Sequence, residues 1–298
     1  MTRFQDLTLA TTAHNNEQMS AAMLHSFDSN LGRAEEIVIV DDGSAEPYRP
    51  PVLSTPVRVI RSEHASGFCR ASDVALRAVQ TKYALLVDAD VLFEPGDFAG
   101  GYAEFRQGDW AWVNFRQTNF QGQPQSAYEQ PLMPPWIFAA GNQAFQLWEK
   151  FQQTPNPTAS ARIVEVEVAH SSCTLVNMEA FRAAGGFDHA YWQCQSDIDL
   201  SLRLRKTGHR VGIDFGYCVK HEGAGGKTGG AARVLDLYRS RVRLYEQYHP
   251  ASRFYLRPLL FVRHALELAW FAPVALFKNE PRFRTRVEML KGVLKGYR

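Results

Sequence analysis

Three groups of carboxylates in this 298-residue chain lie where apolar runs end or a helix begins, and each could do chemistry. Asp88 and Asp90 flank a single alanine after the apolar run Tyr83–Val87. Side chains two apart on an extended segment point the same way, so both carboxylates can face one site. A divalent cation would offset their repulsion, and hard oxygen ligands of this kind suit Mg2+ or Mn2+. Taken alone, an Asp-x-Asp is more often a solvated turn. Asp41-Asp42-Gly43-Ser44 closes the β-branched run Glu36–Val40. It reads either as a turn with Ser44 capping a helix, or as a carboxylate that accepts hydrogen bonds from a nucleobase or ribose. The third group, Ser196-Asp197-Ile198-Asp199-Leu200, opens an amphipathic helix shortly after Gly185-Gly186-Phe187-Asp188. Acids in a first helical turn complement the helix dipole, which is the role assigned to Asp199. For Asp197 the alternative is a general base directed at a bound hydroxyl.

The elements that must position these groups alternate along the first ninety residues. Leu7–Thr12 reads as a strand, Glu17–Asn30 as a helix, and Glu36–Val40 and Val57–Ile60 as strands. Gly67–Gln80 is then helical, and Tyr83–Val87 is a strand that ends at the Asp-x-Asp. Apolar strands separated by helices predict a parallel sheet buried on both faces. Ligands of such sheets gather beyond the carboxyl ends of the strands, where two of the acidic groups lie. Residues 100–157, rich in glutamine, aromatics and proline, are expected to form loops and edge elements that shape a pocket. Further strands are expected within Glu165–Val176 and at Val211–Asp214, with a helix over Ser196–Thr207 between them. From Ala232 onward the pattern is helical, with breaks expected at His249-Pro250 and at Pro258.

The bulk numbers narrow the function. Apolar residues make up 45% and charged residues 21%, ordinary for a chain able to bury a core. The formal charge of +2, from 33 basic and 31 acidic residues, gives no argument for a nucleic-acid partner, although Arg253–Arg298 is locally basic. Cys69, Cys173, Cys194 and Cys218 form no C-x-x-C pair, so neither zinc nor a redox motif is indicated. The first residues lack the apolar stretch of a signal peptide, and free thiols in the cytoplasm are expected. Pro258–Phe277 approaches the length of a membrane span, but Arg263, His264 and Glu267 near its centre argue against one.

The ordered set Val40-Asp41-Asp42-Gly43-Ser44, Leu86-Val87-Asp88-Ala89-Asp90-Val91, Gly185-Gly186-Phe187-Asp188 and Ser196-Asp197-Ile198-Asp199-Leu200 resembles glycosyltransferase family 2. Arg203-Leu204-Arg205-Lys206-Thr207-Gly208-His209 and Val219-Lys220-His221 continue the pattern, so the resemblance covers roughly residues 5–225. It implies an α/β fold of the GT-A type: a Rossmann-like nucleotide-binding sheet with a mixed acceptor-side region, over residues 1–230. A helical appendage, residues 231–298, would follow.

By the same resemblance, Asp42 with Thr12 would hold the nucleobase. Asp90, helped by Asp88, would hold Mn2+ or Mg2+ on the donor diphosphate. His221 matches a late histidine near the metal or acceptor, with a structural histidine as the alternative. Asp197 matches the catalytic base. Ser196 stands where the family usually has an acceptor-binding Glu, and Asp73 where it usually has Asn. Lys227, in the loop Gly223–Gly230, is a candidate to close over the diphosphate, the alternative being a plain surface loop. One of Arg239, Arg241 and Arg243 could reach the diphosphate, but a solvated helix face is the preferred reading.

The implied reaction is transfer of one sugar from a nucleotide-sugar donor, UDP- or dTDP-linked by preference, to a glycan or lipid-linked acceptor, with inversion. The Gln-x-x-Arg-Trp block of processive synthases is absent. The basic amphipathic tail resembles those of bacterial transferases acting on lipid-linked surface glycans, among them rhamnosyltransferases, which implies peripheral contact with an anionic membrane. Two other classes compete. A nucleotidyltransferase would need a Gly-rich Arg-Lys loop that the N-terminal region lacks. A non-catalytic GT-A scaffold that binds nucleotide or glycan is favoured by Ser196 and opposed by Asp88, Asp90 and Asp197.

Overall fold

The computed structural model describes residues 2–130, 132–151, 162–223, 230–275 and 281–295. In chain order the strands are β1 (Arg3–Ala13), β2 (Arg33–Asp42), β3 (Val57–Ser62), β4 (Tyr83–Val87), β5 (Val91–Leu92) and β6 (Trp110–Thr118), then β7 (Pro124–Gln125), β8 (Tyr128–Glu129), β9 (Ile163–Glu165), β10 (Val168–Ala169), β11 (Cys173–Asn177) and β12 (Arg210–His221). The helices are α1 (Glu17–Asn30), α2 (Phe68–Ala78), α3 (Phe98–Gln107), α4 (Pro135–Ala140) and α5 (Asn142–Phe151), then α6 (Met178–Ala183), α7 (Ser196–Lys206), α8 (Gly230–Tyr248), α9 (Ser252–Ala275) and α10 (Pro281–Leu294). Two compact units result. One is drawn from Met1–Pro131, Thr154–Trp192 and Ser196–Ala224, the other from Leu132–Gln153, Gln193–Gln195 and Gly225–Arg298.

The first unit is built on a sheet of order β3-β2-β1-β4-β11-β6-β12-β5. β3, β2, β1 and β4 run parallel, and β11 enters antiparallel between β4 and β6. β1 has β2 on one side and β4 on the other, so the chain reverses its direction of winding there, at the kind of crevice where α/β sheets bind ligands. β4 is buried along its whole length, as its apolar run requires. In the core Phe4 meets both Phe98 and Tyr102 edge to face, with ring centroids 5.4 Å apart in each pair, an arrangement that suits the aromatic quadrupole. Asp97 caps α3, its side chain accepting from the Gly100 N–H at 2.9 Å.

Residues 100–157, expected to form loops and edge elements, depart from that expectation: most of α3 and all of α4, α5 and β6 lie there. β6 is an interior strand, paired with β11 and β12, and it carries buried Asn114 and Gln117 among its apolar residues. Those polar side chains, engaged with each other and with Ser172, broke the pattern that would have marked a strand.

The second unit is helical. Tyr238, Val242 and Tyr245 of α8 pack with Leu256 and Leu260 of α9 and Met289 and Val293 of α10. The break expected at Pro258 does not occur: α9 runs through it. Pro258 lies on the exposed side of α9, where the carbonyl it leaves without an N–H partner can be hydrated. Arg241 also departs from the solvated-face reading. It is buried, with Nε donating to the Tyr245 hydroxyl at 3.0 Å, while Arg239 and Arg243 are exposed. All four cysteines carry free thiols, and no described helix is long and apolar enough to cross a membrane.

Candidate active site

Asp88, Asp90 and His221 converge, with one ligand atom from each lying within 4.8 Å of the others. The two carboxylates follow β4 at the crevice beside β1. His221 comes from the far end of the sheet, because the last residues of β12 pair antiparallel with β5 and set His221 opposite Val91. The backbone fixes the join: the Glu222 N–H donates to the Asp90 carbonyl at 3.1 Å, and the Asp88 N–H to the Ser172 carbonyl at 2.8 Å. His221 Nε2 stands 3.3 Å from Asp90 Oδ1 and 4.0 Å from Asp88 Oδ2.

The other ring nitrogen sets the tautomer. His221 Nδ1 lies 3.1 Å from Gln117 Oε1, an atom that can only accept, so Nδ1 carries a proton. Gln117 is held in turn, its Nε2 donating to Asn114 Oδ1 at 3.1 Å and to the Ser172 hydroxyl. Nε2 is thereby presented to the carboxylates. Burial pulls the His221 pKa down, but the hydrogen bond to Asp90 and the charges of Asp88 and Asp90 outweigh it, and the net shift is upward. Two carboxylates and an imidazole held by a buried amide form a donor set that fits Mn2+. Sequence reading missed Gln117. A polar residue in an otherwise β-prone run was the one signal for it.

A cavity of about 770 Å³ opens beside this cluster, lined by Asn15, Ser44, Tyr48, Asp90, Phe120 and Glu222 among others. Glu17 and Glu46 also line it, so four carboxylates face the space, and no lysine or arginine is among its described lining residues. A polyphosphate would be repelled from such a wall unless a cation sat between them.

The first acidic group divides its labour. Asp41 is buried, accepting from the N–H groups of Ser44 and Tyr48 at 3.0 Å each and from Arg61. Asp42 Oδ1 accepts from the Ser66 N–H and hydroxyl, both at 2.8 Å, and Oδ2 from the Gly67 N–H at 3.0 Å. Its carboxylate therefore fixes the turn that leads into α2. Thr12, half-buried, stands at the end of β1 opposite Val40.

The third group lies across α2. Asp197 Oδ2 accepts from the Ser171 N–H at 3.2 Å, and Oδ1 from the Ile198 N–H at 2.9 Å. Ser196 is only 1% exposed and faces the Cys69 thiol, whose pKa burial pushes up to about 12. Asp199 is buried against Arg203 at 2.7 Å, and Arg203 also reaches the Ala184 carbonyl, so this pair ties the helix to the preceding loop. Asp73 does the same from α2: it accepts from the Phe187 N–H at 2.9 Å, Arg77 Nε at 2.7 Å and His189 Nε2 at 2.8 Å. Lys227 lies outside the described residues.

Comparison with known proteins adds the following. The family described as "Glycosyl transferase family 2" matches residues 8–181. The O-antigen biosynthesis protein RfbC of Myxococcus xanthus is 31% identical over 80 residues, 27% of this chain and 6% of that protein, so the chain spans a small part of that relative. The mannosyltransferase PcManGT from Pyrobaculum calidifontis, solved with GDP-Man and Mn2+, matches with a TM-score of 0.56 at 14% identity, over 98% of this chain and 86% of that one. GalNAc-T7, solved with UDP, GalNAc and Mn2+, matches with a TM-score of 0.54 at 14% identity, over 72% of this chain and 42% of that one. At such identities the likeness is one of fold, and it bears out the Rossmann-like GT-A sheet expected from the sequence.

Proposed function

The chain belongs to glycosyl transferase family 2, and on that premise we propose that it moves a single sugar from a nucleotide-sugar donor to a hydroxyl of a glycan or lipid-linked acceptor, with inversion and with a divalent cation. The observation that carries this reading is the Asp88–Asp90–His221 cluster beside an acidic cavity. A cation held there supplies charge neutralisation for the departing nucleoside diphosphate. Asp88 and Asp90 bring the negative charge that holds it, and His221 adds a nitrogen donor oriented by Gln117. Mn2+ fits this mixed set, and the solved relatives named above contain it.

Asp197 is the base in this reading. It takes the acceptor proton as the acceptor oxygen bonds to the anomeric carbon and the bond to the phosphate oxygen breaks. One displacement inverts the centre, and no sugar–enzyme bond forms. The Ser171 N–H holds Asp197 in place through Oδ2. Thr12 and the turn fixed by Asp42 form the base-binding end, with a pyrimidine donor preferred. Acceptor recognition falls to residues other than the buried Ser196. Surface polysaccharide synthesis is the setting we favour, supported by the similarity to the O-antigen protein. The free thiols support a reducing, cytoplasmic one.

The test is thermal shift with UDP, dTDP, GDP and CMP, each with and without Mn2+, on wild type and Asp90→Ala. A bound nucleotide stabilises the fold by RT ln(1 + [L]/Kd). Stabilisation by one nucleotide that needs Mn2+ and disappears in Asp90→Ala is the expected result. No stabilisation under any condition would overturn the reading, and nucleotide binding without turnover would favour the scaffold.

A further inference from the structure

α9 is apolar on both its sides. Its inner face sends Leu256 and Leu260 into the core of the helical unit. Along its outer face the exposed residues are Phe254, Pro258, Leu259, Phe261, Val262 and Leu266, continuing through Ala269 and Trp270 to Pro273. Phe254 is 85% exposed, Leu266 67% and Trp270 79%. Phe254, Pro258, Val262, Leu266 and Trp270 recur every four residues, so they line one side of a helix about 36 Å long. From Phe254 to Pro273 no exposed residue is charged.

The charges that the sequence places at the centre of this helix are turned inward. Arg263 Nε meets Glu267 at 3.0 Å, His264 Nδ1 meets it at 3.5 Å, and Arg286 of α10 pairs with it as well. Arg263 also donates to the Phe138 carbonyl at 3.1 Å. His264 is fully buried, and burial lowers its pKa to about 4, which leaves it neutral. The outer face is thus cleared of charge, because Arg263 and His264 both turn to Glu267 on the inner one.

Around this face the sequence is strongly basic. Residues 225–298 contain 15 Lys and Arg against 5 Asp and Glu, in a chain whose totals are 33 and 31. Arg253 at the start of α9, Arg239 of α8, and Arg284 and Lys291 of α10 are exposed. A folded protein seldom leaves so long an apolar strip in water without a use for it. A nonpolar strip in a cationic unit complements an anionic bilayer surface, where apolar side chains enter the acyl boundary and cations meet the headgroups. A second copy of the chain would bring the same excess of positive charge against itself.

We propose that the outer face of α9 is a membrane-docking surface, on which the protein lies in the plane of an anionic lipid bilayer. The helix rests on the bilayer without crossing it, since the inward charges belong to the fold of its own unit. This proposal stands independently of the transfer reaction.

The experiment is co-sedimentation of the full chain with vesicles of phosphatidylcholine alone and of phosphatidylcholine mixed three to one with phosphatidylglycerol. The wild type is expected to pellet several-fold more with the anionic vesicles, and less at high salt. The double substitution Val262→Glu and Leu266→Glu is expected to remove that difference while leaving the Tm within a few degrees. Should the double variant fold poorly, wild-type protein with brominated lipid gives a second readout, because insertion of Trp270 would quench tryptophan fluorescence. Equal pelleting with both vesicle types and none, or a folded double variant that pellets like wild type, would overturn the proposal. A wild type that dimerises in sedimentation velocity while the variant stays monomeric would overturn it in favour of a second copy.

Discussion

Asp197 and Asp88 are joined through a single dipeptide: the Ser171 N–H donates to Asp197 Oδ2 at 3.2 Å, and the Ser172 carbonyl accepts from the Asp88 N–H at 2.8 Å. The proposed base and a proposed cation ligand are thus both tied to one pair of adjacent residues. If Asp197 takes the acceptor proton, Asp197→Asn should cut kcat by about a hundred- to ten-thousand-fold. Nucleotide affinity, read by calorimetry with Mn2+ present, should stay near wild type. Loss of nucleotide binding in that variant would move Asp197 from the chemistry to the fold of the site.

Gln117 is expected to act through His221. Gln117→Leu removes the acceptor for Nδ1, and losses of this kind typically weaken a metal by about ten- to a hundred-fold. Gln117→Glu keeps an acceptor at that place and should retain most of the affinity. Titration with Mn2+, followed by the signal of the free ion, separates the two. Equal loss in both variants would mean that the amide group's other bonds, to Asn114 and Ser172, are what matter.

Gly67 marks a backbone requirement. Its φ of +88° lies in the left-handed region, and a Cβ there would sit 2.7 Å from the Trp192 ring and 2.8 Å from the Trp192 carbonyl oxygen. Its N–H also holds Asp42. Gly67→Ala should cost about 2–5 kcal/mol by denaturant titration, from strain and overpacking together. Gly122→Ala is the control, because φ is +78° there but nothing lies within 4 Å, and about 1 kcal/mol is expected.

Asp41 ties stability to acid. Burial alone would raise its pKa, but hydrogen bonds from Ser44 and Tyr48, with Arg61 beside it, hold it below the ordinary 3.8. A carboxyl lowered in the folded state stabilises the protein above its unfolded pKa and loses that contribution as pH falls through the folded value. Thermal melts should therefore show wild type losing Tm below about pH 4 more steeply than Asp41→Asn. At neutral pH the variant should be about 2 kcal/mol less stable, the scale of lost hydrogen bonds to a charged group. Parallel acid profiles would remove Asp41 from the acid response.

Much of this was legible in the sequence, for physical reasons that differ by element. β1, β2 and β4 are apolar runs buried on both faces, and the acidic groups after β2 and β4 followed from them. β6 was not legible, because Asn114 and Gln117 are buried polar residues whose partners lie elsewhere in the chain, at His170, Ser172 and His221. Asp73, noted as a departure from the family's asparagine, turns out to hold Phe187, Arg77 and His189 at once. A carboxylate has two oxygens with which to accept from these three donors, where an amide has one. The resemblance alone places Ser196 at the acceptor, as the residue standing where the family usually has Glu, but a side chain one place along a helix from Asp197 points some 100° away, here into the protein toward Cys69.

The pairing of β12 with β5 has a consequence for how the protein is made. β5 is two residues long and holds its place by hydrogen bonds to Lys220 and His221, about 130 residues further along the chain. A ribosome that has delivered only the first half of the sequence has already produced β1, β2 and β4, and with them both aspartates. His221, the third residue of the proposed cation site, arrives with the last strand. The proposed Mn2+ site would therefore be complete only when the sheet is, and a prematurely released chain would carry the aspartates without His221.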